Sequence, residues 1–301
     1  MPQYDLTHLI SSIAQRLERR YQTPLTAQQH AWWLVQALTN KSKAQLLLEP
    51  TITFKPEQAQ LLEQWITAHV EQHEPLQYLL GSVPFADLEI LVQPPVLIPR
   101  PETEEWTLFV IAQLKKAPAT ARWSFLDLCT GSGCVGLALA RAFTKAQIVA
   151  SDISLTALEL AHKNARHNHL TNISFVHSNL FASLSPTFTF DVIVANPPYI
   201  STHEWQTLDV SVTRWEDRNA LVADQQGLAL IEGIINNAPT YLRFNKQLAD
   251  LQLFNVVLEI GYAQGQAVHQ LMTKRGYQRI IVHKDVSDKD RFVSGYWPAD
   301  K

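Results

Sequence analysis

Residues 1–75 repeat apolar positions at three- and four-residue spacing, the period of an amphipathic helix. Thr26 and Gln29 have capping-box spacing and precede Ala31, Trp32, Leu34, Val35, Ala37 and Leu38. Pro56 stands in a first-turn position before Ala59, Leu61, Leu62, Trp65, Ile66 and Val70. With no convincing strand between them, residues 1–75 are predicted to form a small helical domain. Residues 76–99 break the helical period with Gly81, Pro84, Pro94, Pro95 and Pro99 around short apolar segments, which predicts a hairpin-like linker. From Trp123 onward, β-rich segments at 124–129, 147–151, 173–177, 190–195, 254–260 and 277–283 alternate with helical stretches such as 135–143, 155–168 and 228–242. This is the α/β pattern of a parallel sheet with helices on both faces, and it makes residues 100–301 a second domain. The tail, residues 290–297, reads as a last strand pairing antiparallel at or near an edge.

Composition narrows the field. A chain of 301 residues carries a prior of about two domains. Its 46% hydrophobic and 18% charged residues exclude a disordered or fibrous class. Lys plus Arg number 25 against 28 Asp plus Glu, a net charge of −3, so nothing pulls the chain as a whole toward nucleic acid or an anionic membrane. In the N-terminal region Arg16, Arg19, Arg20, Lys41, Lys43 and Lys55 nearly cancel Asp5, Glu18, Glu49, Glu57, Glu63, Glu71 and Glu74, which favours a protein-facing or packing role. No apolar run reaches the roughly 18 to 20 residues that span a bilayer. Neither a secretory layout nor an acid-free transit sequence opens the chain, because Asp5 and Glu18 interrupt it; a cytoplasmic home is expected, or a mitochondrial one if the source is eukaryotic. The two cysteines, Cys129 and Cys134, are too few to staple the fold or cage a zinc, and are expected as reduced thiols. His162, His167 and His169 cluster without completing a metal set, so no metal is expected, and nothing demands a dimer, so a monomer is.

Two constellations carry chemistry. The first is Asp127-Leu128-Cys129-Thr130-Gly131-Ser132-Gly133-Cys134-Val135-Gly136, a strand entering a glycine-rich turn and then a helix. Gly131, Gly133 and Gly136 satisfy G-x-G-x-x-G, and Asp152 stands at the end of the next strand, where an acid takes two ribose hydroxyls. Such a turn serves a dinucleotide or S-adenosylmethionine, since both bring a ribose there. Asp127 tilts the choice to the second, because it repels a pyrophosphate and attracts the methionine ammonium. Tight packing of a β-α turn is the plainer alternative, outweighed by the order of strand, turn, helix and acid.

The second constellation is Asn196-Pro197-Pro198-Tyr199, directly after an apolar strand, at the end where ligands of open α/β sheets bind. Two prolines fix φ and lack N–H groups, leaving carbonyls as acceptors; Asn196 adds a side-chain acceptor and Tyr199 an aromatic face and hydroxyl. The set suits a planar –NH2 group, with the Pro197 carbonyl and the Asn196 amide oxygen each accepting one N–H. A rigid turn ending a strand is the bland alternative, and the pairing with the first constellation decides against it.

With residues 97–106 (LIPRPETEEW), these motifs resemble the release factor protein-(glutamine-N5) methyltransferases. The likeness extends over most of the chain through residues 76–85 (LQYLLGSVPF), 259–268 (EIGYAQGQAV) and 284–297 (KDVSDKDRFVSGYW). NPPY alone is shared with enzymes that methylate exocyclic amino groups of nucleic acid bases; the 97–106 segment with a helical N-terminal module is far more specific. The resemblance implies a Rossmann-like class I S-adenosylmethionine methyltransferase domain. It also implies S-adenosyl-L-methionine as cofactor, and class 1 peptide chain release factors as protein partner, modified at the glutamine of their Gly-Gly-Gln motif. The cofactor loop then falls on Asp127, Cys129, Thr130, Gly131, Ser132 and Gly133, the ribose acid on Asp152, the adenine neighbourhood on Asn179 and Leu180, and the substrate clamp on Asn196, Pro197, Pro198 and Tyr199. Asn196 also borders the cofactor. On the resemblance, Arg100 with Glu102 or Glu105 is expected to form an ion pair shaping the substrate mouth, the alternative being a charged surface that simply joins the domains. Three departures stand out. Asn179 replaces a usual Asp, Asp217 a usual Pro, and a Gly-Gly turn before residue 254 is missing; the last two are expected to alter loops only. The alternative to a protein substrate is a nucleic-acid amino group held by the same clamp. A non-catalytic binding module and a nicotinamide oxidoreductase are weaker readings.

Overall fold

The computed structural model describes residues 3–298, with residues 22 and 119 left out of the description. It divides into two units. One takes the chain up to Gly81 together with Asp209–Trp215, the other Ser82–Leu208 and the chain from Glu216.

The first unit packs the helices Leu6–Leu17, Pro24–Thr39, Lys43–Leu47, Pro56–Glu71 and Leu76–Leu80 around Leu17, Leu34, Val35, Leu46, Phe54 and Ile66. Three features differ from the sequence reading, the first being helix Leu76–Leu80, which belongs to this unit and not to the hairpin-like linker predicted over 76–99. Strands β1 (Gln3–Asp5) and β2 (Thr51–Thr53) pair antiparallel, with Tyr4 opposite Ile52; at three residues each they are too short to show a two-residue period. The second helix starts at Pro24 with Thr23 as N-cap, so Thr26 and Gln29 lie inside its first turns rather than opening it. Proline takes the first position because its missing N–H has no intrahelical partner to lose there. Helix Pro56–Glu71 opens at Pro56 as the pattern predicts. The stretch Asp209–Trp215 joins this unit through an Arg20–Asp209 ion pair of 3.0 Å and a hydrogen bond of 3.1 Å from the Trp215 indole to the Gln72 carbonyl.

The second unit begins with the hairpin β3 (Ser82–Phe85) and β4 (Leu88–Leu91). Beyond it come β5 (Ser124–Leu128), β6 (Gln147–Asp152), β7 (Ile173–His177), β8 (Val192–Ala195), β9 (Val256–Glu259), β10 (Gln278–Lys284) and β11 (Asp290–Tyr296). Among the described residues these seven form one sheet in the order β10-β11-β9-β8-β5-β6-β7. Strand β11 runs antiparallel between β9 and the edge strand β10, as expected of the tail. Strand β8, and β9 up to its last residue Glu259, are apolar because both faces are covered. Phe125, Val192, Val194 and Val257 enter one core with Trp106 and Leu137, whereas Leu126, Leu128, Ile193, Ala195 and Leu258 enter the other with Ile231, Ile234 and Val268. Where a Gly-Gly turn is missing, Gln252 holds φ 53°, a left-handed conformation that glycine adopts without strain.

Order and register together create the crevice. From β5 the chain proceeds to β6 and β7 on one side, then returns to place β8 on the other. The switch point of the sheet is therefore the β5–β8 junction. Leu128 pairs with both Ser151 and Ala195, and Ala195 with Leu258. The next residues, Cys129, Asp152, Asn196 and Glu259, are therefore level along the carboxyl edge of four adjacent strands. The described part of the protein has no helix long and apolar enough to cross a membrane.

Candidate active site

The turn after β5 is built from within. The Asp127 carboxylate accepts from the Thr130 hydroxyl at 2.5 Å and from the Gly136 N–H at 2.9 Å, drawing the start of helix Cys134–Ala142 onto the strand. A Cβ on Gly136 would stand 2.9 Å from that carboxylate, so only glycine permits the approach. Gly131 and Gly133 have φ of 56° and 87°. The sequence reading has Asp127 attract the methionine ammonium directly or through water, and the structure engages its carboxylate within the turn. Asp127 is 1% exposed, satisfied by the turn, and absent from the cavity wall. Burial raises its carboxyl to about 7. Thr130, Ser132 and Gly133 likewise shape the turn from behind: Thr130 N–H donates to Ser151, and the Ser132 carbonyl accepts from Asn164.

In front of the turn is a cavity of about 540 Å³, within the usual range of ligand pockets. Cys129, Gly131, Asp152, Asn179, Leu180 and Asn196, all singled out in the sequence, line it. Asp152 accepts from the Gly131 N–H and the Ser154 N–H, each at 2.8 Å, and burial raises its carboxyl above the usual range. Asn179 presents an exposed carboxamide, and Leu180 sits at φ 47°. Asp217 does more than alter a loop, because it caps the turn Arg218–Ala220 and forms part of this wall. A larger, more open groove of about 910 Å³ lies at the amino ends of β5, β6 and β7, the end of a parallel sheet away from its ligands.

A second, narrow space of about 30 Å³ is lined by Arg100, Asn196, Pro197, Pro198, Tyr199 and Glu259, with Leu97, Ala220 and Leu221. Asn196 and Pro198 border both spaces. Arg100 does form an ion pair at this mouth, but with Glu216 at 2.5 Å rather than with Glu102 or Glu105. Glu216 has a side chain only 1% exposed and needs the cation more than the surface carboxylates do. Glu102 is half-buried in the first turn of helix Pro101–Leu114 and lines neither space.

Four residues that lie in the quoted segments but were not individually singled out brace residues 196–199. Glu259, 1% exposed at the end of β9, accepts from Thr103 and Trp106 at 2.7 Å on one oxygen and from the Tyr199 hydroxyl at 3.1 Å on the other. Thr103 in turn accepts from the Asn196 side-chain NH2 at 3.2 Å. Burial raises the carboxyls of Glu259 and Glu216 and the phenol of Tyr199, which marks a desolvated site. Glu259 carried a readable signal: a lone acid ending a continuous apolar strand must find donors in the core. Gln264 fastens the clamp from outside, donating to the Tyr199 carbonyl at 2.9 Å while accepting from Gly261 N–H at 2.8 Å.

Comparison with known proteins adds the following. The family model described as "Methyltransferase small domain" matches residues 102–214, and that described as "PrmC N-terminal domain" matches residues 8–81. A release factor glutamine methyltransferase of Lactococcus lactis subsp. lactis is 38% identical over 230 residues, 76% of this chain and 80% of its own. That of Vibrio cholerae is 36% identical over 262 residues, 87% of this chain and 86% of its own. Among solved structures, the hMettl16 catalytic domain in complex with the MAT2A 3'UTR hairpin 6 gives a TM-score of 0.52 at 15% identity, over 83% of this chain and 84% of that one. At that identity the likeness shows the fold alone.

Proposed function

The chain belongs to the release factor glutamine methyltransferase family, and from that premise we propose that it transfers a methyl group from S-adenosylmethionine to the side-chain nitrogen of the Gly-Gly-Gln glutamine in class 1 release factors. The observation that carries the proposal is the meeting of two spaces at Asn196 and Pro198. One is sized for a cofactor, and the other is a slot lined by acceptors.

The residues of the larger space fit the cofactor chemically. Asp152 offers a carboxylate to ribose hydroxyls, Val96, Leu97, Ile153 and Leu180 offer apolar surface to a flat ring, and Asn179 offers a carboxamide beside it. When bound, S-adenosylmethionine supplies a methyl made electrophilic by a sulfonium. Cys129, Thr130, Gly131, Ser132, Gly133 and Asp127 we assign to the turn that shapes this space, Asn196 to Tyr199 to the substrate clamp, and Arg100 to its mouth. The helical first unit we assign to recognition of the protein substrate.

A carboxamide nitrogen is a poor nucleophile because its lone pair is delocalised, as an amide rotation barrier of roughly 18 to 20 kcal/mol shows. The clamp counters this by orientation. Acceptors at Asn196 and Pro197 hold both N–H groups and turn the nitrogen's face toward the larger space, an effect that can supply about 7 to 11 kcal/mol of a barrier. The same acceptors stabilise positive charge developing on nitrogen, most strongly in a desolvated site. No general base is needed beforehand, since the nitrogen becomes acidic on methylation and releases its proton to water. The test is to incubate a class 1 release factor with the protein and S-adenosylmethionine and map the product by peptide mass spectrometry. One added methyl on the motif glutamine is expected, and an unmodified glutamine overturns the assignment.

A further inference from the structure

With no proton on the Glu259 oxygen that meets Trp106, the buried bonds behind Asn196 run in one direction. The Trp106 indole N–H can only donate, so the Glu259 oxygen it meets at 2.7 Å is an acceptor whether or not the carboxyl is ionised. Thr103 reaches that same oxygen at 2.7 Å and, with Glu259 ionised or carrying its proton on the oxygen that meets Tyr199, donates its only hydroxyl proton to it. What remains on the Thr103 oxygen is lone pairs, so the Asn196 amide, 3.2 Å away, must turn its NH2 toward Thr103. The amide oxygen of Asn196 then faces the other way, and among the described residues it has no hydrogen-bond partner. The Pro197 carbonyl likewise takes none. Thr103 and Glu259 are 2% and 1% exposed, so water cannot substitute for a missing member.

We propose that Trp106, Glu259 and Thr103 form a relay of positioning residues that fixes the Asn196 amide oxygen-outward and thereby makes the clamp select a carboxamide over a carboxylate. With the oxygen outward, the slot presents two acceptors, which match the two N–H groups of glutamine and repel the lone pairs of glutamate. With the amide reversed, the slot would present one donor and one acceptor and lose that preference. The selectivity rests on the functional reading above; the direction of the relay does not. Glu259 has a second, separable role through its other oxygen, which receives the Tyr199 hydroxyl at 3.1 Å.

Replacing Thr103 and Glu259 separates these roles. Thr103→Val removes the hydroxyl at nearly constant volume, and Thr103→Ser restores it. Glu259→Gln must place its carbonyl oxygen on Trp106 and Thr103, so it keeps Asn196 in place and reverses only the bond to Tyr199. Relative to wild type, Thr103→Val should lower kcat roughly 10- to 100-fold, as expected when an acceptor is exchanged for a donor. Thr103→Ser should recover to within about threefold, and both variants should keep cofactor affinity within about twofold. A release factor carrying Glu in place of the motif glutamine should compete weakly against wild type and distinctly better against Thr103→Val. Independently of activity, the Asn196 side-chain NH2 signal in NMR should exchange slowly with solvent in wild type, Thr103→Ser and Glu259→Gln, and quickly in Thr103→Val. Equal kinetics for Thr103→Val and wild type, a Thr103→Ser variant as impaired as Thr103→Val, or fast exchange in wild type overturns the relay. Failure of wild type to modify the glutamine overturns the functional reading instead and leaves the exchange result to judge the relay.

Discussion

The main-chain N–H of Gly131 donates to the carboxylate of Asp152 at 2.8 Å, so the glycine turn after β5 is tied to the acid that ends β6. The second oxygen of Asp152 is held by the N–H of Ser154 at 2.8 Å. The carboxylate is thus oriented by main-chain donors from two separate loops.

Asp152→Ala removes both the carboxylate and the tie. Calorimetry should show S-adenosylmethionine affinity falling roughly 10- to 100-fold, the scale of one or two charge-assisted hydrogen bonds. An affinity within twofold of wild type would place the ribose elsewhere.

Gly227 presses on the clamp. A Cβ there would lie 1.9 Å from the Tyr199 carbonyl oxygen, at a φ of 83°. Gly81 has nearly the same φ, 82°, and open space around it. Gly81→Ala should cost about 1 kcal/mol in denaturant unfolding, the left-handed penalty alone, and Gly227→Ala at least about 2 kcal/mol with loss of methyl transfer.

Asp127 makes stability depend on pH. Its carboxyl rises from an ordinary 3.8 to about 7, chiefly through burial. Folding therefore favours the protonated form, so this contribution is full below pH 3.8 and is lost as pH rises through about 7. Asp127→Asn keeps an acceptor for Thr130 and Gly136 and cannot titrate. Between pH 4 and pH 7 wild type should lose stability relative to Asp127→Asn by up to about 4 kcal/mol, measured by denaturant unfolding across the range. Parallel profiles would show that the carboxyl titrates normally.

Cys129 lines the cofactor cavity at φ 57°, and burial, with Asp152 and Asp127 adding to it, pushes its thiol far above the usual range. Cys134 is pushed to about 12. Since the thiolate is the reactive form, both should react with iodoacetamide at pH 7.5 at least about tenfold more slowly than a free thiol. S-adenosylmethionine should slow Cys129 further, as read by peptide mass spectrometry.

Strands β8 and β9 were legible because each is buried on both faces, so that 192–195 and 256–258 read as unbroken apolar runs. The glycine turn, Asp152 and residues 196–199 were legible as neighbours of one cavity because each motif lies within a few residues of a strand end. Asp127 was legible as part of the turn, but not its burial behind the cavity wall, since spacing does not say to which side of a strand end a carboxylate turns. Glu259 was missed as a partner because Thr103 and Trp106 lie 156 and 153 positions away. Arg100 likewise finds Glu216 at a separation of 116, rather than the carboxylates beside it in sequence. The first unit's two short strands and its stretch Asp209–Trp215 had no local pattern to announce them.

Asn196 borders both spaces, and its assigned task is to hold the accepting nitrogen, while most of the cofactor's binding is assigned to Asp152, Asn179 and Leu180. This division is tested most directly by comparing Asn196→Ala with wild type in single-turnover methyl transfer to a release factor, with cofactor affinity measured in parallel. Transfer should fall at least about 100-fold while S-adenosylmethionine affinity changes by less than about threefold. Unchanged transfer would contradict the clamp.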